Sequence, residues 1–250
     1  MMYILLMTFF LSIFNQQISF EQFIKQLKPF PTDQRKAVVE KYLTEIRTTP
    51  VIEQDSIVDF VWVGKADTVL VNGDLQHGWS KPDILNKIEC GEEDFFYKSL
   101  TVTPDPRLDY QFIVDGKYIT DQRNPNITPS GYGPHSEVRM PKFKPTSVIL
   151  YRAEIEHGTI DTMMFKSSDD SMKPSQIKIY KPAGYEKLSN LPVFIVHDGE
   201  DALNFSNYKN ALDNLIAENK IKPLIAVFIP PVDRGDEYVW AKLYRFISAM

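Results

Sequence analysis

The sequence predicts two domains: an all-β sandwich of immunoglobulin-like size, followed by an α/β domain built on a parallel sheet. Three observations carry this. Between residues 51 and 141, short runs rich in β-branched and aromatic residues recur at regular spacing, the pattern of a sandwich. Further on, two apolar runs, at 191–196 and 223–230, flank an amphipathic stretch, which reads as a right-handed βαβ unit. Between these regions lies a basic, proline-bearing linker at 142–146.

Composition narrows the class. The chain has 250 residues, is 43% hydrophobic and 24% charged, and carries a net charge of -5. That is ordinary globular composition, and the mild negative charge argues against nucleic acid as a partner. A single cysteine, Cys90, excludes an intramolecular disulfide and reads as a small core hydrophobe. His77, His135, His157 and His197 show no metal-ligand spacing, and neither a metal nor a cofactor is expected. His197, Asp198, Glu200 and Asp201 lie close together, but successive turn residues point in different directions.

The apolar run Met1–Phe14 is too short for a stable membrane span, which needs about 20 residues. It fits the core of a secretory signal peptide covering 1–19, with cleavage between Asn15 and Ser19, so a secreted or periplasmic location is expected. A buried N-terminal helix and an uncleaved anchor are the alternatives.

A helical leader is predicted over 20–50. Phe20, Phe23, Ile24 and Leu27 recur at helical spacing, and Pro29 and Pro31 break the pattern. Thr32 or Asp33 is expected to cap a second helix with Val38, Val39, Tyr42, Leu43 and Ile46 as its apolar stripe. The sandwich is assigned to 51–143. Its strands are read at Ile57–Val63, Thr68–Val71, Phe95–Val102, Leu108–Val114, Lys117–Thr120 and Ser136–Met140, with Asp115-Gly116 as a hairpin turn. The second domain, 144–250, opens at Ser147, turns at Gly158-Thr159-Ile160 and loops at Ser167–Ser171. A strand follows at Gln176–Tyr180. The run at Leu191, apolar on both faces, is expected to be a central strand. A helix is read over Asn204–Asn219, with Tyr208, Leu212, Leu215 and Ile216 on one face, and a further helix over Val239–Ala249.

Two resemblances follow. Val71-Asn72-Gly73-Asp74 with Gly78-Trp79-Ser80-Lys81, then Tyr110–Gly116, then Asp121-Gln122-Arg123-Asn124-Pro125, resemble the glycogen-binding-type carbohydrate module of starch-branching enzymes and of the β subunit of AMP-activated kinase. In that family two tryptophans and a lysine contact the glucan. Here Trp79 matches one tryptophan, Tyr118 stands at the second and Gln111 at the lysine. The sandwich is therefore either structural or a polysaccharide binder through Trp79 and Tyr118.

Tyr180–Tyr185, Leu191-Pro192-Val193 with His197-Asp198-Gly199-Glu200, and Ile229–Tyr238 resemble the first half of an α/β-hydrolase of the enterochelin-esterase and esterase-D type. The resemblance implies a three-layer fold and hydrolysis of a small ester, a siderophore or an acylated polysaccharide, by a Ser-His-Asp triad. It implies that the backbone N–H of Glu200, after Asp198-Gly199, is one oxyanion-hole donor, and that Arg234 and Glu237 line or brace the pocket. The required Gly-x-Ser-x-Gly elbow occurs nowhere in residues 1–250. The expectation is a C-terminally truncated esterase, inactive alone. The alternative is a carbohydrate-binding module with a vestigial hydrolase appendage.

Overall fold

In the computed structural model, residues 18–75, 78–166 and 173–233 are described. The chain divides into two compact units, Met1–Lys144 and Pro145–Met250. The signal-peptide run, the Ser167–Ser171 loop, His77, Arg234, Glu237 and the Val239–Ala249 helix lie wholly or almost wholly outside the described residues.

The first unit begins with α1 (Phe20–Leu27) and α2 (Thr32–Ile46). Ser19 starts α1 through a capping box: its hydroxyl accepts the Gln22 N–H while the Gln22 side chain accepts the Ser19 N–H. The cap expected at Thr32 or Asp33 is absent. Pro31 holds the cap position of α2, and its ring has no acceptor to offer the N–H groups of the first turn. Two sheets follow. One runs β1 (Val51–Glu53), β2 (Ile57–Gly64), β6 (Glu93–Thr101), β5 (Asn86–Cys90). The other runs β4 (Asp83–Ile84), β3 (Val69–Gly73), β7 (Arg107–Val114), β10 (His135–Arg139), β9 (Ile127–Thr128), with β8 (Lys117–Ile119) also on β7. The β7–β8 hairpin turns through Asp115 and Gly116, both at positive φ, as the Asp-Gly pair predicts. Strands β1, β4, β5 and β9 were not read from sequence; all but β5 have two or three residues, too few for an alternation to show.

The two sheets face one another across Val58, Phe60, Phe96 and Leu100 from the first and Val69, Val71, Tyr110, Phe112 and Val138 from the second. The outer side of the first sheet is covered by the helices, where Phe20, Phe23, Leu27, Val39, Tyr42 and Leu43 pack on Val61, Ile88, Cys90 and Phe95. Cys90 is thus a core hydrophobe.

One buried carboxylate sits under this helical cover. Asp59 is 1% exposed; Ser99 donates its hydroxyl to one oxygen at 2.5 Å, and the other oxygen has no partner among the described residues. Burial first, and the neighbouring Glu53 charge after the opposing Ser99 bond, push the carboxyl up to about 6. A raised carboxyl favours folding in acid: the contribution is full below about pH 4 and is lost as pH rises through about 6. Asp59→Asn is expected to stabilise the first unit at pH 7 by about 1–3 kcal/mol and to flatten its denaturant midpoint between about pH 4 and 6. Chemical denaturation across that range checks both.

The second unit holds one sheet in the order β11 (Thr159–Phe165), β12 (Ser175–Lys181), β14 (Ile225–Ile229), β13 (Val193–His197). β13 and β14 are parallel, joined through α3 (Gly199–Asn204) and α4 (Tyr208–Ala217), so the βαβ unit is present. Three expectations need correction. The turn placed at Gly158-Thr159-Ile160 is over by Gly158: Thr159 already pairs with Lys181. The helix read over Asn204–Asn219 is Tyr208–Ala217: it starts after Asn207, which lies in the left-handed region, and Asn204 ends the preceding helix. The strand at Val193 is not central but lies at the sheet edge among the described residues, leaving Val193 61% and Phe194 43% exposed. Val196 and Ile195 still pack on opposite faces of the sheet, but no described strand takes the free side.

Helices α3 and α4 cover one face of this sheet through Ala202 and Leu212 on Tyr180, Val196, Ala226 and Phe228. The cluster on the opposite face, Ile177, Val227 and Ile229 with Ile179, Ile195 and Ile225, contains no helical residue. Two of the three expected layers are therefore present among the described residues.

Candidate active-site turn

The parallel pair β13–β14 ends with His197 beside Ile229. Ligands of open α/β sheets bind at this carboxyl end. The chain turns there at once. Asp198 takes φ 52° and ψ 43°, a conformation Asp and Asn tolerate better than most side chains. Gly199 then lies against the neighbouring strand: a Cβ on it would stand 2.5 Å from the carbonyl carbon of Phe228 and 2.6 Å from the nitrogen of Ile229. Glycine is needed here for close approach, since its own φ is ordinary.

α3 starts at Gly199, so the N–H groups of Gly199, Glu200 and Asp201 belong to its first turn, where no preceding helical carbonyl can accept them. Asp198 makes no side-chain cap to them. The turn thus presents backbone donors at the carboxyl end of the sheet. The Glu200 side chain is turned away into a contact the sequence did not reveal. Lys178 on β12 reaches it at 2.8 Å, and Asn204 one turn on donates to it at 3.2 Å. Lys178 appears in the sequence as one polar residue of an alternating strand, and its partner is 22 residues away.

Behind the turn, the helix–sheet layer is held by α4. Asp213 accepts hydrogen bonds from the Gly158 N–H and the Tyr180 hydroxyl at 2.8 Å and from the Lys209 ammonium at 2.7 Å, and lies 3.0 Å from His157 Nδ1. Burial alone would raise this carboxyl, but the bonds from Lys209, Gly158, Tyr180 and His157 outweigh it and hold it below its ordinary range. Next to it, Asn214 donates to the carbonyls of Val148 and Leu150, and Asn210 to that of Ile149. The helix was read from its apolar residues as Tyr208, Leu212, Leu215 and Ile216. Its most buried side chains are Leu212, Asp213 and Asn214. The Lys209–Asp213 spacing was the available signal.

The other named residues lie in the first unit, on the outer side of its second sheet. Trp79 is 37% exposed; its indole N–H donates to Asp74 at 2.7 Å and its ring leans on His135 at 4.6 Å. Gln111 donates to the Pro134 carbonyl, and Tyr118 is 58% exposed opposite Ile113, on the same face of β7 as Gln111. The motif residues around them are structural. Asp121 accepts from the hydroxyls of Thr49 and Tyr110, Asn124 donates to Tyr110 and to the Glu137 carbonyl, and a Cβ on Gly73 would stand 2.2 Å from the Asp109 carbonyl oxygen.

Sheet order, the parallel last pair and the turn at its end make the second unit an α/β fold similar to that of esterase-like α/β-hydrolases. The family model described as "Putative esterase" matches residues 169–246. Among solved structures, the enterobactin esterase FES of Shigella flexneri, crystallised in the presence of enterobactin, aligns with 84% of this chain and 66% of its own, at 18% identity and a TM-score of 0.57. The ferric enterobactin esterase of Salmonella typhimurium aligns with 84% of this chain and 63% of its own, at 16% identity and a TM-score of 0.60. The chain therefore spans less than two thirds of the length of either, and at these identities the likeness is one of fold. No curated protein sequence matches.

Proposed function

We propose that this chain supplies the oxyanion-binding half of a carboxylic-ester hydrolase. The observation that carries the reading is the Asp198-Gly199-Glu200 turn, with its first-turn donors at the carboxyl end of β13 and β14, inside the segment matched by the esterase family. The Glu200 N–H would stabilise negative charge on an attacked carbonyl oxygen, a contribution of about 3–4 kcal/mol per donor to the transition state. The nucleophile has to come from residues outside 1–250, since no Gly-x-Ser-x-Gly segment lies within them. In the hydrolase fold the strand bearing it pairs with the strand that has a free edge among the described residues, β13. Arg234 and Glu237 are assigned to the pocket on resemblance, as is a siderophore or acylated-polysaccharide ester as substrate. Export rests on the apolar run at Met1–Phe14. The comparisons give a polysaccharide partner no support, and the ties of Gln111 and of the Asp121 and Asn124 side chains favour a structural sandwich.

Purified alone, the 250-residue chain is expected to leave p-nitrophenyl acetate at its background rate of hydrolysis. Enzymatic turnover blocked by a serine-directed inhibitor would overturn the split-site reading. The coding DNA after codon 250, read in all frames, tests the ester-hydrolase reading itself. A Gly-x-Ser-x-Gly segment followed by a histidine is expected, and its absence counts against the assignment.

A further inference from the structure

The leader helices share a core with the outer side of the first sheet, and none of its residues belongs to the cluster between the two sheets. The helices also hold each other: the Phe23 and Tyr42 rings stack with centroids 3.8 Å apart. Polar ties to the sheet run from the Phe20 N–H to Glu53 and from Arg35 to the Glu89 carbonyl. The chain after α2 is fixed at Thr49, whose hydroxyl donates to Asp121 and whose N–H donates to the Arg123 carbonyl. Arg47, at φ 64°, and Thr48 lie between that anchor and the helix end.

Asp59 lies in this interface, on the same face of β2 as Val61. It faces Ser99 on β6, with Tyr97 beside it on that strand, Glu53 on β1 and Tyr42 on α2. It makes no ion pair among the described residues. The helices' own charges are engaged elsewhere: Glu21 pairs with Lys25, Lys36 with Glu93 and Lys41 with Glu45. One oxygen of Asp59 is thus enclosed between sheet and helices with neither donor nor cation among the described residues, a setting in which ionisation is costly.

We propose that α1 and α2 form a pH-sensitive cover, docked on the first sheet in acid and lifting from it as one piece, about Arg47 and Thr48, when Asp59 loses its proton. Lifting gives the carboxylate water, while the sandwich keeps its inner core. Burial holds Asp59 protonated up to about 6, against an ordinary value near 4 once it is exposed. Docking is therefore favoured fully below about pH 4 and loses that advantage as pH rises through about 6. From these two values the open fraction rises about twentyfold between about pH 4.5 and 7.5. The open form stays a minor state, because the apolar side chains of both helices must leave the sheet. The inference is independent of the ester-hydrolase reading, whose turn lies in the other unit.

Cys90, 4% exposed under the helices and the single thiol of the chain, reports the opening. The full chain is treated with dithiodipyridine across that pH range, and each rate is divided by that of the urea-unfolded chain at the same pH. The division removes the thiol's own titration. The ratio is expected to rise about twentyfold with pH in the unaltered chain and less than about threefold in Asp59→Asn. Glu53→Gln keeps an acceptor for the Phe20 N–H but removes the neighbouring charge, and should shrink the rise by about two- to threefold. Hydrogen exchange, corrected for intrinsic rates, locates the movement: faster in α1 and α2 at the upper pH, unchanged in β3, β7 and β10. A ratio that is flat or falls with pH, an equal rise in Asp59→Asn, an undiminished rise in Glu53→Gln, or exchange that quickens equally in β3, β7 and β10 would each overturn the proposal.

Discussion

Replacing Asp213 by alanine is expected to cost the second unit about 3–5 kcal/mol, the largest effect of any single change in it. The carboxylate is almost wholly buried and serves four groups: the Gly158 N–H, the Tyr180 hydroxyl, the Lys209 ammonium and the His157 ring. Alanine leaves the first two buried with nothing to accept them, each worth about 1–3 kcal/mol, and the gain in helix propensity offsets only about half a kcal/mol. Tyr180 reports the same coupling. Burial first, then its bond to Asp213, push its hydroxyl far above the usual range. The pH dependence gives the sign. Asp213 is held below its ordinary range, so its contribution is full above the unfolded value and is lost as pH falls through the lowered one. Acid titration of the second unit's unfolding midpoint should therefore show a decline that Asp213→Ala lacks. Equal slopes in the two proteins would show that the four bonds do not depend on the charge.

Gly199→Ala is the second large effect, about 2–4 kcal/mol. The added methyl would meet backbone atoms of Phe228 and Ile229 at 2.5 and 2.6 Å, and neither can rotate away. α3 must lift off β14, or β13 and β14 must part. Either movement displaces the Glu200 N–H and strains the Lys178–Glu200 pair. Hydrogen exchange is expected to accelerate in α3 and at the ends of β13 and β14, with the first unit unchanged. An unaltered α3 would mean that the turn has slack the geometry does not show. Both changes act on the helical layer that covers one face of the sheet, so a double variant is expected to be less than additive.

Local patterns were legible where one period dominates. The two leader helices, the long strands β2, β6 and β7, the Asp-Gly hairpin and the βαβ unit follow from apolar spacing and turn chemistry within a few residues. The turn at Asp198-Gly199 was legible because an apolar run, a glycine and a helical pattern meet there. What stayed hidden involves partners distant in sequence. Lys178 meets Glu200, Asp213 meets Gly158 and Tyr180, and Asn214 meets Val148 and Leu150. No periodicity marks a polar residue as buried when its donors come from other elements.

The sequence by itself determined the kinds of element, the division into a β-rich and an α/β part, and the place where the second part turns at the end of a parallel strand. Periodicity and turn residues are local, and those features depend on nothing else. Tertiary structure decided neighbours. It put Val193–His197 at an edge among the described residues and set its one described partner as β14, because pairing is decided between segments and apolar composition does not name the neighbour. It placed the leader helices over a buried Asp59, and it turned a polar helix face inward around Asp213. Each of those depends on free energies of burial and pairing that exist only once distant segments meet.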